Sequence, residues 1–280
     1  MSDPFTACRP RLFALAYRML GSVADAEDVV QEAALRWHAA DRSDVGNCEA
    51  WLVRTATRLS IDALRRRKRR AYVGPWLPEP IAGDEPVVDT PVLAESLRLA
   101  FLLLLERLTP AERAAFLLRD VFDAPYDEVA AALGASEATC RQHVSRARRN
   151  LASGRARFRV EPRAEVELMG RFAQAVATGD MAGMLALLGA DAELVTDGGG
   201  RATAALNVIA GADKIARFFL GLFRKMPPEL VWTPAQVNGA PGVLMKLGDE
   251  PYAVWSLATD GSRITGLFAQ RNPAKLGRIG

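Results

Sequence analysis

Histidine and cysteine are scarce in this chain of 280 residues, with two of the former, His38 and His143, and three of the latter, Cys8, Cys48 and Cys140. The cysteines are widely spaced and show no metal-ligand pattern, which excludes a disulfide framework and fits reduced thiols. Neither a metal nor a cofactor is expected. Long apolar runs are missing as well: the most apolar, Leu99 to Leu105, is flanked by Arg98 and Glu106 and is far too short to span a bilayer. The N-terminus, with Asp3, Pro4 and Arg9, lacks the apolar stretch of a signal peptide, so a cytoplasmic chain with no membrane partner is expected.

What is present is charge in two places. Arg65, Arg66, Arg67, Lys68, Arg69 and Arg70 close one predicted helix, and a second basic helix is predicted from Glu137 to Arg159. Up to Arg70 the chain has 13 basic and 9 acidic residues, whereas from Val160 to Gly280 the balance is 12 to 12. The net charge of +3 therefore conceals a cationic N-terminal part. Two separated basic helices can grip one polyanion at two points, because each neutralised phosphate releases counterions. DNA is the natural candidate.

The length suits several compact domains. From Pro10 to about Tyr72, apolar residues recur at helical spacing, and Ser22 followed by Asp25, Glu27 and Asp28 reads as a helix start. Prolines 75, 78, 80, 86 and 91 then forbid a regular helix and mark a linker. A second helical domain runs from about Val92. Its Thr109-Pro110-Ala111-Glu112 is a capping box with proline at the first helical position. A short helix, Tyr126 to Leu133, and a turn at Gly134-Ala135-Ser136 lead into the basic helix, making a helix-turn-helix. After Pro162, helices precede short strand-like segments, the pattern of an α+β domain with a curved antiparallel sheet. The expected division is 1–72, 73–91, 92–159 and 160–280.

On a helical wheel, Cys140, Val144, Ala147 and Leu151 share the packed face of the basic helix. Gln142, Ser145, Arg146 and Arg149 lie opposite, flanked by Arg141 and His143, with donors suited to base edges and phosphates of a major groove. In the earlier basic helix Arg54, Thr57 and Arg58 cluster beside Trp51, which reads equally as a stacking platform or a core aromatic. Asp25, Glu27, Asp28, Gln31 and Glu32 form an acidic face that repels DNA and suits a basic protein partner; dipole compensation alone accounts for Asp25 and Glu27 better than for Gln31 and Glu32.

Together these segments resemble the bacterial extracytoplasmic-function sigma factors. Tyr17 to Ser22 with Asp25 to Glu32 is similar to their region 2, the helix holding Trp51-Leu52 and Thr57 to Asp62 to the segment that melts and reads the minus-10 element, and Leu108 to Arg113 with the helix-turn-helix to region 4. The resemblance implies core RNA polymerase and promoter DNA as partners. It assigns Asp28, Gln31 and Glu32 to polymerase, Asn47, Arg54, Thr57, Arg58, Arg65 and Arg66 to the minus-10 strand, and Arg141, Gln142, His143, Ser145, Arg146 and Arg149 to the minus-35 duplex. A subgroup carries a SnoaL-like extension of the nuclear-transport-factor-2-like fold. Its hallmarks are here: Trp76-Leu77-Pro78-Glu79-Pro80, Asp197-Gly198-Gly199-Gly200, and Asn272-Pro273-Ala274-Lys275-Leu276, with Ala274 where an acidic residue is usual.

That fold also houses isomerases and cyclases, and a conical sheet can enclose a ligand-sized pocket. Both histidines lie outside the extension, while Asp191, Asp197 and Asp213 read first as turn or cap residues, leaving Glu193 as a further carboxylate. The glycine run lacks the Lys-Ser/Thr pair of a phosphate loop. No catalytic residue is expected. Instead the apolar Trp76 and Leu77 suggest that the extension grips the linker and regulates domain spacing, with room for a small-molecule ligand. The rivals are a stand-alone helix-turn-helix regulator and a SnoaL-like enzyme fused to a DNA-binding module.

Overall fold

The computed structural model describes residues 3–41, 45–67, 72–82, 91–155 and 162–279. Lys68, Arg69 and Arg70 of the basic run, Pro86 of the linker, and Arg157 and Arg159 at the end of the second basic helix lie outside the described residues. The chain forms two compact units, one of residues 1–71, 86–97 and 102–153, the other of residues 72–85, 98–101 and 154–280.

The first unit is helical. Helices α1 (Pro4–Leu20), α2 (Val23–Ala39) and α3 (Cys48–Arg67) pack on one another around Leu12, Leu15, Met19, Trp37 and Leu52. Ser22 caps α2 through the Asp25 N–H at 3.2 Å, as its sequence predicts. Two short helices, α4 (Pro91–Leu97) and α5 (Leu99–Leu105), precede α6 (Pro110–Phe116). The capping box at the start of α6 is complete: Thr109 N–H donates to Glu112 Oε2 at 3.1 Å, and Glu112 N–H donates to Thr109 Oγ1 at 3.3 Å. A π-helical turn, Leu117–Val121, extends α6 towards α7 (Tyr126–Leu133). Gly134, in the left-handed region at φ 65°, ends α7, and α8 (Glu137–Arg155) follows.

A half-buried ionic cluster joins α1, α3 and α6. The last carbonyls of α1 have no helical partner and carry the negative end of its dipole. Arg113 donates to Met19 O and Arg67 to Leu20 O, both at 2.6 Å, and Glu106 accepts from Arg113 at 2.8 Å and Arg67 at 2.7 Å. Arg18 is buried nearby and donates to Ser96 Oγ, Ala14 O and Leu93 O. Burial draws its guanidinium pKa down to about 10.

In the second unit, α9 (Pro162–Thr178) and α10 (Met181–Leu187) precede β1 (Leu188–Asp197), β2 (Ile209–Ala210), α11 (Ala212–Phe223), β3 (Leu230–Val237), β4 (Ala240–Leu247), β5 (Glu250–Thr259) and β6 (Ile264–Gln270). The sheet order is β2-β1-β6-β5-β4-β3. The sequence pattern led to an antiparallel sheet, whereas the observed sheet is mixed: β1 and β6 run parallel and the other four pairings are antiparallel. The reason is topological. The chain crosses from β2 through α11 to the far edge, then returns by hairpins, so the final strand arrives beside β1 in the same sense. Register shifts in β1, β4 and β5 bend the sheet around a core that includes Phe172, Met184, Leu194, Phe219 and Trp255.

Candidate functional site

In the second unit, three separated motifs meet on one carboxylate. Asp197, at the end of β1, has no solvent exposure. Its Oδ1 accepts from Tyr72 Oη at 2.7 Å and Gly199 N–H at 2.9 Å; its Oδ2 accepts from Leu77 N–H at 2.9 Å, Lys275 Nζ at 2.7 Å and Gln270 Nε2 at 3.3 Å. Lys275 also donates to Leu77 O at 2.6 Å and lies over the rings of Trp76 at 4.4 Å and Tyr72 at 5.0 Å. Asn272 Nδ2 donates to Tyr72 Oη at 3.0 Å. Leu77, Pro78, Glu79 and Pro80 are buried, as are Asn272 and Leu276.

A buried carboxylate requires this many donors, because desolvation of its charge costs several kcal/mol unless hydrogen bonds and a counter-charge offset it. Burial first, and then its bond to Asp197, push the Tyr72 phenol well above its ordinary pKa, so the group stays a donor at neutral pH. The glycines have a steric cause. Gly199 and Gly200 adopt φ of 56° and 70°, and a Cβ on Gly199 would collide with the Asn272 amide. A Cβ on Gly198 would collide with Ala202 O. Pro273 and Ala274 are exposed, with Ala274 N–H bonded to Asn272 Oδ1 at 3.1 Å, so the unusual residue at 274 lies outside the Asp197 cluster.

A second tie holds the linker further on. Asn238, in the β3–β4 turn, donates its N–H to Ile81 O at 2.8 Å and accepts the Ile81 N–H on Oδ1 at 3.1 Å, and Val237 bridges Ala82. Sequence reasoning missed Tyr72, Gln270 and Asn238. Tyr72 stood at the edge of a helical segment, Gln270 ended an apolar strand, and the Asn238-Gly239 pair signalled only a hairpin turn.

In the first unit α8 presents Arg141, Gln142, Ser145, Arg146 and Arg149 to solvent, with His143 half-buried. Arg141 is pre-positioned by Glu137 at 2.6 Å and by the Tyr126 ring at 4.8 Å. Cys140, Val144, Ala147 and Leu151 are buried, as the wheel requires. Arg149 is exposed on this face; were it to meet a phosphate, its replacement by alanine would weaken duplex binding across all sequences and lower the salt slope by about 1, measured by titration at several salt concentrations.

The residues assigned to the minus-10 strand are distributed differently. Asn47 caps α3 through the Ala50 N–H at 3.0 Å, and Arg65 and Arg66 are exposed. Arg58 donates to the carbonyls of Ala132 at 3.1 Å and Ala131 at 2.9 Å, at the C-terminal end of α7, while Asn47 and Arg54 line a cleft shared with α7. Thr57 lies on the buried face of α3 with Ile61 and Leu64, its hydroxyl donating to Val53 O at 2.7 Å. Trp51 is half-buried, 5.5 Å from Trp37 between ring centroids. On α2, Asp28 and Gln31 are exposed and Glu32 pairs with Arg36 at 2.7 Å.

The carboxylates weighed for chemistry are otherwise occupied or exposed: Asp197 is fully bonded, Asp213 pairs with Arg217 at 2.9 Å, and Asp191 and Glu193 face solvent. Among the described residues no group of His, Cys, Asp and Glu could hold a metal ion, and no helix is long and apolar enough to cross a membrane.

The comparisons agree with this geometry. The Sigma-70 region 2 model matches residues 5–70 and the Sigma-70 region 4 model matches residues 98–151. The chain is 42% identical over 246 residues to the ECF RNA polymerase sigma factor SigJ of Mycobacterium tuberculosis, covering 85% of this chain and 78% of that protein. It is 32% identical over 287 residues to the probable ECF RNA polymerase sigma factor SigI of the same organism, covering 99% and 94%. The crystal structure of M. tuberculosis SigJ superposes with a TM-score of 0.79 at 35% identity, over 98% of this chain and 97% of that one. The helical regions 2 and 4, followed by a SnoaL-like α+β extension, make this chain a member of the ECF RNA polymerase sigma factors, which bind core polymerase and direct it to promoter minus-35 and minus-10 elements.

Proposed function

We propose that the C-terminal extension governs this sigma factor by holding the linker between its two promoter-reading regions. The observation that carries the reading is the buried Asp197, which takes two of its five hydrogen bonds from Leu77 of the linker and from Tyr72, the residue just before the linker. Lys275 then ties the same carboxylate to Leu77 O. A linker held over its first part, from Leu77 to Ala82, restricts the separations that region 2 and region 4 can adopt, and promoter elements are read only at a set spacing. Deletion of the chain after residue 161 tests the reading: transcription from a cognate promoter changes if the extension regulates, and stays as in the full chain if it does not.

In this account residues 1–72 form region 2, 73–91 the linker, 92–159 region 4 and 160–280 the regulatory extension. Arg141, Gln142, His143, Ser145, Arg146 and Arg149 meet the minus-35 duplex, while Asn47, Arg54, Arg58, Arg65 and Arg66 meet the minus-10 strand. Thr57 supports that helix from its buried side. The protein works in the cytoplasm and carries no catalytic residue of its own.

Asp28, Gln31 and Glu32 dock on core polymerase. Reversing charge at Asp28 and Glu32 together (Asp28→Lys, Glu32→Lys) is expected to weaken core binding by roughly 10-fold or more, since like charges then oppose across the interface. Gel filtration with core polymerase reads this directly, and circular dichroism checks that the helix survives loss of the Glu32–Arg36 pair.

A further inference from the structure

The extension contains an apolar cavity of about 660 Å³ that the linker contacts described above do not use. Met169 and Ala173 of α9 form one wall, and Trp232, Gln236, Pro241 and Val243 of the β3–β4 hairpin form the other. Trp232 and Val166 at its mouth are 38% and 57% exposed. Met169, Ala173, Trp232 and Val243 also border a separate small void of about 30 Å³, lined further by Phe172, Phe219 and Trp255. There Phe172 meets Phe219 edge-on at 5.0 Å, and Trp255 lies 5.3 Å from Phe219.

We propose that this cavity binds a neutral, largely apolar small molecule bearing a ring, and that occupancy is transmitted to the linker through the Asn238-Gly239 turn. The volume lies within the range of small-molecule sites. No lining residue among those described is ionisable, so a charged ligand would bury its charge without a partner at a cost that apolar contact does not offset. The Gln236 amide can orient one polar group on the ligand, the Trp232 side chain in the wall favours a ring, and the flexible Met169 adapts to its outline. The same lack of ionisable groups suits sensing rather than turnover.

The route to the linker is short. Gln236 and Pro241, which line the cavity, flank the turn whose Asn238 holds Ile81 by two hydrogen bonds and whose Val237 bridges Ala82. A ligand that shifts the hairpin wall therefore alters the outer tie on the linker. This inference rests on the linker-holding role proposed above.

The probe for the test is N-phenyl-1-naphthylamine, neutral and fluorescent in apolar surroundings, titrated into the full-length chain. Saturable enhancement is expected, with affinity lowered about 10-fold by Ala173→Trp, which fills the cavity, and by Val166→Glu, which charges its exposed rim without touching the core. Absence of saturable binding, or wild-type affinity in both variants, overturns the site. Hydrogen exchange at the Ile81 and Asn238 amides is then expected to change severalfold at saturating probe. If exchange is unchanged while Asp197→Asn still alters it, transmission is refuted and the linker-holding role stands. If probe alters exchange while Asp197→Asn does not, the cavity is supported and the Asp197 clamp fails.

Discussion

Replacing Asp197 by alanine is expected to destabilise the extension by about 3–5 kcal/mol and to free the linker from it. The size follows from what the substitution leaves behind. Lys275, with only 12% of its side chain exposed, loses its counter-charge, the fully buried Leu77 N–H and Gln270 Nε2 each lose an acceptor, and Tyr72 Oη loses its bond to the carboxylate. Asp197→Asn preserves shape and part of the hydrogen bonding but removes the charge, so it should release the linker while costing less stability. Because the chain has two units, a single unfolding midpoint would mix them. Hydrogen exchange separates them: protection at Leu77 and Ile81 and in β6 should fall in the variants, with α1 to α3 unaffected. Equal protection of Leu77 in wild type and Asp197→Ala would remove the carboxylate from its assigned role.

The second large effect is expected at Glu106→Leu, which leaves Arg67 and the nearly buried Arg113 facing each other with no carboxylate between them. A loss of about 3–5 kcal/mol from the first unit follows from an uncompensated buried charge. Hydrogen exchange in α1, α3 and α6 reports it, and a cost below about 1 kcal/mol would mean that the cluster is dispensable. Burial pushes the Glu106 carboxyl up, but Arg113 and then Arg67 more than offset this, leaving it below the ordinary glutamate value. A depressed carboxyl contributes stability that is present above its unfolded pKa and lost as pH falls through the folded one. The first unit should therefore weaken on acidification below the usual carboxylate range, and Glu106→Gln should flatten that dependence.

The helical half was legible because its signals are local. Ser22, the Thr109 capping box and the Gly134 turn mark starts and stops that hydrogen bonds within a few residues enforce, and the wheel of α8 placed Cys140, Val144, Ala147 and Leu151 inside. Thr57 shows the limit of that reasoning: beside Arg54 and Arg58 in sequence, it turns with Ile61 and Leu64 towards the core, where a threonine hydroxyl satisfies itself on the preceding turn. The sheet was harder. Strands 230–237 and 264–270 have local patterns, but whether β6 lies parallel to β1 depends on the path between them, which no local pattern contains. The Asp197 cluster lies between these cases. Its motifs were visible separately, and the resemblance grouped them, but Tyr72 and Gln270 join it only through contacts 125 and 73 residues apart in sequence, which chain folding alone brings together.

Arg58 is already engaged: its guanidinium sits on the carbonyl end of α7, donating to Ala132 O and Ala131 O, where the helix carries partial negative charge. For the minus-10 contact proposed above, Arg58 would have to give up these two bonds.

The most direct test of the regulatory role is run-off transcription with purified core polymerase on one cognate promoter, comparing the full chain with Asp197→Asn and Lys275→Met at equal core occupancy. The account predicts that both variants shift transcript yield in the same direction and by a similar factor, because both open one clamp; yields equal to wild type in both would contradict it.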